Sequence, residues 1–512
     1  MIYRSPLPPV PLTGLTITER LLQGLAPRRA QAAMVDGPTG RKVTARALID
    51  GIAALAGGLR AAGMGPGDVT AILAPNIPEY VIAFHGPLYA GGTVTTINPS
   101  YTAPEVHHQL VDSGATRLIT IPAFLETARA AATGTAVTDI AVIGEAPGAT
   151  PLAAWMGAPL DAQVPVDVEG MTAVLPYSSG TTGLPKGVML THRNLVVNVD
   201  QTLAMGYVAP GDWTVGFLPF FHIYGQTVLM NAHLAQGAGV VTMPRFDLAL
   251  FLALCAEYRT PTMWVAPPVA VALAKHPMVA EHDLTHTTRL FSGAAPLGGD
   301  VADAVGRRLN LDAVQGYGMT ELSPVSHTTP IGGNRPGTVG VTLPNTECRI
   351  VDPQTGRDAP SGELWVRGPQ VMKGYHNNPA ATAATLTPDG WLRTGDLGDF
   401  DADGYLTLRD RLKELIKVKG FQVAPAEVEA ALLTHPGVAD AAVIGRADDE
   451  AGEVPVAFVV RAAGDATPVG HIADFLADRL ATYKLPRTIT VVDSIPKSAS
   501  GKILRRLLRD AA

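Results

Sequence analysis

The chain has 512 residues and carries 39 Lys plus Arg against 46 Asp plus Glu, and its net charge of −7 argues against a dedicated nucleic-acid binder. With 47% hydrophobic and 17% charged residues it can bury large cores, and 53 Gly with 42 Pro is high without dominating, so wholesale disorder and collagen are excluded. At roughly 100 to 200 residues per domain, the length predicts one large lobe and something smaller.

In chain order, the first ten residues are too rich in proline and too short in apolar length for the hydrophobic region of a signal peptide. Residues 45–62 read as an amphipathic helix stopped by Gly63, 69–73 as a short apolar strand ending in Ala-Pro-Asn, 79–90 as a helix, and 92–97 as a β-branched strand. This alternation up to about residue 240 is the pattern of a sheet covered by helices. The apolar stretch 248–256 falls well short of the ~20 residues a membrane span requires. Two cysteines, Cys255 and Cys348, give neither a disulfide framework nor a C-x-x-C metal pair. A cytoplasmic protein with no membrane span is the expectation.

Near residue 400 the text changes character. Residues 399–411 pack aspartates and arginines around the Asp403-Gly404 turn, and Lys413, Lys417 and Lys419 follow, which reads as a domain junction. Beyond it, Pro425 starts a helix that ends before Pro436, strands are predicted at 438–444, 454–460 and 488–492, and Ile472, Phe475, Leu476 and Leu480 share a helical face. The fold class expected is α/β, with a large N-terminal α/β domain of helix-covered sheets (1–410) and a small C-terminal α+β domain (411–512).

The strongest chemical signal is Tyr177-Ser178-Ser179-Gly180-Thr181-Thr182-Gly183-Leu184-Pro185-Lys186-Gly187, directly after a strand candidate at 172–175. Glycines let backbone N–H groups approach an anion, hydroxyls donate to phosphate oxygens, and a lysine adds positive charge. It is a phosphate loop by composition, yet not a Walker loop, because no Lys-Ser or Lys-Thr follows a G-x-x-x-x-G frame. A plain surface turn needs neither the lysine nor the run of hydroxyls.

Further motifs follow in order: Leu218-Pro219-Phe220-Phe221-His222-Ile223-Tyr224-Gly225, Ser292-Gly293-Ala294-Ala295-Pro296-Leu297, Gln315-Gly316-Tyr317-Gly318-Met319-Thr320-Glu321, Arg393-Thr394-Gly395-Asp396, the run from Asp410-Arg411 through Lys413, Lys417, Lys419 and Gly420 to Val423, and Pro496-Lys497-Ser498-Ala499-Ser500-Gly501-Lys502. Tyr317, between two glycines, reads as an exposed ring suited to stacking on a purine face. Thr320 beside Glu321 places a hydroxyl next to a carboxylate that suits Mg²⁺, although such a pair can also cap a helix. His222 is a single titratable group in an aromatic wall, and a buried structural histidine is the alternative. Lys497 and the arginines 505, 506 and 509 read as surface charge.

On these motifs, which span nearly the whole chain, the sequence resembles the adenylate-forming superfamily of acyl- and aryl-CoA ligases, firefly luciferase and peptide-synthetase adenylation domains. Its wording is most similar to bacterial 4-coumarate or cinnamate–CoA ligases. The resemblance implies a two-step reaction with ATP, Mg²⁺ and the co-substrate CoA, in which a small-molecule carboxylic acid becomes an acyl-AMP and then an acyl-CoA. It assigns ATP and AMP to Ser178, Ser179, Gly180, Thr181, Thr182, Lys186, Ala294, Gln315, Gly316, Tyr317, Thr320, Asp396, Arg411, Lys413 and Lys502. Catalytic roles fall on Lys502, His222, Lys186, Thr320 and Glu321, and the metal on Glu321. The acyl group is assigned to His222, Tyr224, Val228, Gly316, Gly318, Pro324, Val325 and Lys417, with Gly316 and Gly318 leaving a flat slot beside Tyr224 and Trp264 adding bulk nearby. CoA is assigned to Arg245, Lys419 and Gly420. The small domain is expected to be mobile about a hinge near Lys413, presenting Lys502 in the first step and the 417–420 loop in the second. A medium-chain fatty acyl ligase and a luciferase-like oxygenase are the alternatives.

Overall fold

The computed structural model describes residues 1–178, 185–419, 421–448, 450–462, 464–498 and 501–509. It is a mixed α/β protein. The first large sheet has a parallel core of Thr172–Ser178, Thr93–Thr96, Val69–Leu73, Arg117–Thr120 and Asp139–Val142, in that spatial order. Lys186–Thr191 is added antiparallel on the Thr172–Ser178 side. Val69–Leu73 is buried along its whole length, as a strand covered on both faces must be, and this is why it reads as a continuous apolar run.

The helices that cover the sheet follow from local chemistry. Thr44 caps Ala45–Ala61 by accepting from the Ala47 N–H at 3.2 Å, and Gly63 beyond its end takes a left-handed φ of 83°. Tyr80–Tyr89 is buried on every face, which accounts for its all-round apolar composition.

A second sheet pairs Thr262–Val265, Arg289–Ser292 and Asp312–Gly318 in parallel and continues antiparallel through Val325–Thr328. The C-terminal ends of its strands carry the Ser292-Gly293 and Gln315-Gly316-Tyr317 motifs. Beside it runs an antiparallel sheet that includes Tyr3–Arg4, Gly362–Arg367, Leu392–Phe400 and Leu406–Arg411. The charge-dense run at 399–411, read above as a junction, is therefore part of a hairpin. Its charges are paired: Asp399 with Arg409 at 2.7 Å, and Asp401 and Asp403 each with Arg335 at 2.7 Å. The acids are partnered, although Asp401 and Asp403 remain exposed to solvent.

A last sheet is built from Ile416–Val418, Phe421–Val423, Val438–Asp448, Gly452–Arg461 and Thr488–Val491. It packs with the helices Pro425–Thr434 and Val469–Ala477 around its own core of Val428, Leu432, Val443, Val459, Ile472 and Leu476. Leu480 lies past the helix end and still packs against that core. Among the described residues no helix is long and apolar enough to cross a membrane, and both cysteines are buried and free.

Candidate functional site

Strands of the second sheet and of the antiparallel sheet beside it bring Tyr317, Asp396 and Arg411 together. Asp396, on Leu392–Phe400, lies opposite Arg411 on the neighbouring strand, and Arg411 Nε is 3.1 Å from Asp396 Oδ1. The Tyr317 hydroxyl donates to the other carboxylate oxygen at 2.5 Å. Burial and then the Asp396 charge push the Tyr317 phenol far up, so it stays protonated and donating. Tyr317 is half-buried rather than exposed as its flanking glycines suggest, because its hydroxyl is anchored by a residue from a distant strand. Both carboxylate oxygens are thus engaged within the chain, and a diol would share them beside a guanidinium that donates.

Glu321 anchors a second cluster. It is 6% exposed, and its Oε1 accepts from the Tyr375 hydroxyl at 2.7 Å and from Ser178 Oγ at 3.4 Å. Lys186, paired in register with Ser178, holds its ammonium 4.4 Å above the Tyr375 ring. Hydroxyl, carboxylate, ring and ammonium are therefore gathered at the mouth of the 178–186 loop. Ser179, Gly180, Thr181 and Thr182 lie outside the described residues. Thr320 opens the short turn Thr320–Leu322 and is half-buried, and the residue in the cap position is Met319, whose side chain makes no cap bond, so the pair is not a helix cap.

Among the described residues, no group of three His, Cys, Asp or Glu side chains could hold a metal unaided. A single buried carboxylate with both its hydrogen bonds on one oxygen nevertheless suits Mg²⁺, which favours one or two carboxylates plus phosphate oxygens.

Gln315 departs from its expected role. Its amide donates to the Leu297 carbonyl at 3.0 Å and accepts from the Leu297 N–H at 2.8 Å, so the side chain ties down the 293–297 loop instead of reaching a ligand. In that loop Ala294 is exposed and takes a φ of 74°, a left-handed conformation rare without glycine.

His222 is set in place by Asn76, from the Ala-Pro-Asn after the strand Val69–Leu73. The Asn76 amide donates to the carbonyls of Gly216 and Leu218 at 2.8 Å and accepts from the Phe220 N–H at 2.8 Å. His222 Nδ1 accepts from the Tyr224 N–H at 3.3 Å. Burial, with the neighbouring Lys502 ammonium adding to it, lowers the imidazole to about 4. The ring is neutral at pH 7, and with Nδ1 accepting, its proton sits on Nε2 and is available to donate.

Lys502 enters from the small C-terminal sheet. The Ser498 N–H donates to the Lys502 carbonyl at 2.7 Å, Gly501 takes a φ of 86°, and Ala499 and Ser500 lie outside the described residues. A Cβ on Gly501 would sit 3.0 Å from the Ala266 Cβ, so the loop presses directly on the 266–268 segment. Burial first and Arg411 second lower the ammonium to about 8, while Glu414, Asp396 and Glu321 oppose that shift. The charges of Arg411, Glu414, Asp396 and Glu321 thus act on Lys502, and its own charge acts on His222.

The other face of the small sheet points elsewhere. Lys413 and Lys417 are exposed, and Lys419 is exposed and pairs with Glu450 at 3.1 Å. Arg245 is exposed after the strand Gly239–Thr242, and no hydrogen bond or ion pair among the described residues joins it to Lys417 or Lys419. Gly420 lies outside the described residues.

Of the residues read as surface charge, Arg506 and Arg509 are exposed as expected, whereas Arg505 and Lys497 need correction. Arg505 is bound by Glu414 at 2.8 Å and Glu429 at 2.7 Å, all three side chains about nine-tenths buried, and Lys497 donates to Asp440 at 2.5 Å. Buried charge must be partnered, and here the partners arrive from the segment after the strand Leu406–Arg411 and from the helix Pro425–Thr434, which sequence spacing does not connect.

Tyr224, Val228 and Val325 line a cavity of 20 Å³ with Tyr207, Trp264 and Phe291. The flat slot expected at Gly316 and Gly318 is not open. A Cβ on Gly316 would lie 2.5 Å from Phe291 Cζ, and one on Gly318 would lie 2.4 Å from the Pro324 carbonyl oxygen. The glycine beside the Tyr224 ring is Gly293, where a Cβ would meet Cε1 at 2.9 Å. Sequence reading missed Phe291, Tyr207, Arg505 and Tyr375. Tyr375 shared a signal with Tyr317, an aromatic ring directly after a glycine.

The profile described as AMP-binding enzyme matches residues 25–376, and that described as AMP-binding enzyme C-terminal domain matches 427–502. The chain is 41% identical to 4-coumarate–CoA ligase 3 of Oryza sativa subsp. japonica over 524 residues, covering 99% of this chain and 94% of that protein. It is 38% identical to probable 4-coumarate–CoA ligase 1 of Dictyostelium discoideum, covering 99% and 97%. Among solved structures, the anthranilate CoA ligase AuaEII in complex with anthranoyl-AMP superposes with a TM-score of 0.90 at 27% identity, over 98% of each chain.

Proposed function

The chain belongs to the AMP-binding enzyme family and is an ATP-dependent acid–CoA ligase that works through an acyl adenylate; we propose that its acids are aryl propenoates of the 4-coumarate or cinnamate type. The observation that carries this reading is the cluster of flat rings beside Tyr224, namely Tyr207, Trp264 and Phe291, which suits an aromatic ring once the 20 Å³ space between them, about one water in size, widens to admit it. The 4-coumarate–CoA ligases to which the chain is similar support it.

In the first step the acid's carboxylate attacks the α-phosphate of ATP, forming acyl-AMP and releasing pyrophosphate. In the second the CoA thiol attacks the acyl carbon and AMP leaves. Both steps move negative charge, so positioning and fixed positive charge do the catalytic work. Lys502, charged at pH 7, stands where carboxylate and α-phosphate meet, and neutral His222 donates from Nε2 to the carboxylate. Asp396 and Arg411 hold the ribose, and Tyr317 gives its ring to adenine. Lys186 and Ser178 hold the outer phosphates. Glu321 would hold Mg²⁺, which when bound neutralises charge on the phosphates.

We place the domain boundary at 410/411 with the hinge near Lys413. Rotation of the small domain about it replaces Lys502 by the exposed 417–419 segment for the second step, with Arg245 and Lys419 toward CoA. A cytoplasmic location is part of the same proposal. The test is acid-dependent AMP release with CoA over cinnamic, 4-coumaric, benzoic and octanoic acids. The aryl propenoates are expected to have the highest kcat/KM, and preference for octanoate overturns the assignment.

A further inference from the structure

One helix of the large domain touches the small domain at both of its ends. At the start of Pro267–Lys275, a Cβ on Gly501 would stand 3.0 Å from the Ala266 Cβ and 3.7 Å from Pro268 Cδ, so the residue before Lys502 rests there. At the other end, the Lys275 ammonium donates to the Leu433 carbonyl at 3.1 Å and to the Val438 carbonyl at 2.9 Å. Two contacts about 13 Å apart along a helix restrain a tilt that one contact would leave free.

The helix end that carries Lys275 does not need that ammonium for itself, because Arg308 donates to the carbonyls of Leu273 and His276 at 3.2 and 2.7 Å. The small-domain side does need a donor. Leu433 stands in the last turn of Pro425–Thr434, where a carbonyl takes an N–H three or four positions on. Three positions on is Pro436, which has none, and four on is Gly437, whose N–H goes to His435 Nδ1 at 3.0 Å. A helix C-terminus also carries partial negative charge that a cation complements. The donor and the charge both arrive from the other lobe.

We propose that Lys275 is a positioning residue for adenylation, which holds the small domain in the orientation that presents Lys502 by closing the end of the helix Pro425–Thr434. The proposal rests on the rotation of the small domain stated above. Lys275 touches no reacting group and acts through Lys502. For the second step the rotation carries Leu433 and Val438 away, and the ammonium returns to water.

The ratio of the two half-reaction rates follows the ratio of the two orientations, so it reads the latch directly. Adenylation is measured by ATP–pyrophosphate exchange and thioester formation by single turnover of presynthesised acyl-AMP with CoA, using whichever acid the enzyme turns over fastest. Lys275→Met is expected to lower the ratio of adenylation to thioester formation by about fivefold, the size of hydrogen bonds from a half-exposed charged group. Lys275→Arg should restore most of it. A purely structural role would lower both steps alike, and an unchanged ratio overturns the proposal. If Lys275→Met does not fold, labelling of the wild type with acetic anhydride decides: Lys275 should be protected with ATP bound and reactive with AMP and CoA bound, and equal labelling overturns it. An unchanged ratio in Lys275→Met while Lys502→Ala separates the steps removes this inference alone, whereas equal loss of both steps in Lys502→Ala removes the rotation and the inference together.

Discussion

Glu321, Asp396 and Arg411, at the proposed nucleotide end, have hydrogen bonds or ion pairs made within the chain, whereas Tyr224 Oη and Trp264 Nε1, at the proposed acyl end, have no partner among the described residues. The difference follows from charge. An ionised group buried without a partner costs several kcal/mol, so a fold that places carboxylates in a cleft must supply their partners before any ligand arrives. A neutral hydroxyl or indole left unpaired costs about 1–3 kcal/mol, which a chain of this size can carry and recover when a substrate binds. The constant ligand thus meets a finished site, and the variable acid meets an unfinished one.

The most severe way to break this contrast is to remove the charge that serves both ends. Lys502→Ala is expected to slow adenylate formation by about 10²-fold or more, the scale of losing one preorganised electrostatic donor. Conversion of presynthesised acyl-AMP with CoA should largely survive. ATP–pyrophosphate exchange and single-turnover thioester formation measure the two steps separately, and equal loss in both would show Lys502 to be a strut between the lobes.

A smaller break isolates the nucleotide end. Asp396→Ala frees the Tyr317 hydroxyl and leaves Arg411 without its carboxylate. The expected result is a rise of about tenfold in the KM for ATP, the size of one or two charge-assisted hydrogen bonds, with the KM for the acid little changed. An unchanged KM for ATP would mean that the ribose is held elsewhere.

How far this site could be read in the sequence depended on whether a role is set locally. Strand 69–73, the helix after Thr44 and the one opened by Pro425 are decided by neighbours in the chain, and the structure has them at the expected places. Asp396 and Arg411 stand out because both lie in recognisable motifs, and the structure pairs them. The slot at Gly316 was misread because a glycine shows only that a side chain is missing, and Phe291, from the adjoining strand, fills the space. Arg505 looked like solvated charge because Glu414 and Glu429 are remote from it in sequence. The same holds for Tyr317, whose burial depends on a carboxylate 79 positions away.

Proton supply sharpens the contrast further. With Lys502 lowered to about 8 by burial and by Arg411, the free enzyme should lose its first step as pH rises through that value. The charged form is the active one, so kcat/KM for adenylation is full below about 7 and down by roughly tenfold at pH 9, as a single ionisation requires. His222, at about 4, contributes no break near neutrality. Kinetics of pyrophosphate exchange between pH 6 and 9.5 measure this, and a profile flat to pH 9.5 would place Lys502 away from Arg411 in solution.

The mildest test probes the acyl end, where the expected effect on stability has the unusual sign. Tyr224→Phe deletes a buried hydroxyl that has no partner among the described residues and keeps the ring beside Gly293. Most truncations of buried side chains destabilise, because they open a cavity or orphan a partner. This one does neither to a described group, so the free enzyme should melt at the same temperature or on the order of 1 °C higher, consistent with relief of an unsatisfied polar group. The change should show only with substrate, as a few-fold shift in kcat/KM between 4-coumarate and cinnamate. Differential scanning calorimetry of the free enzyme, beside kinetics with the two acids, separates the effects. A fall of several degrees would mean that the Tyr224 hydroxyl is bonded in the free enzyme, and the acyl end would then be as fully built before binding as the nucleotide end.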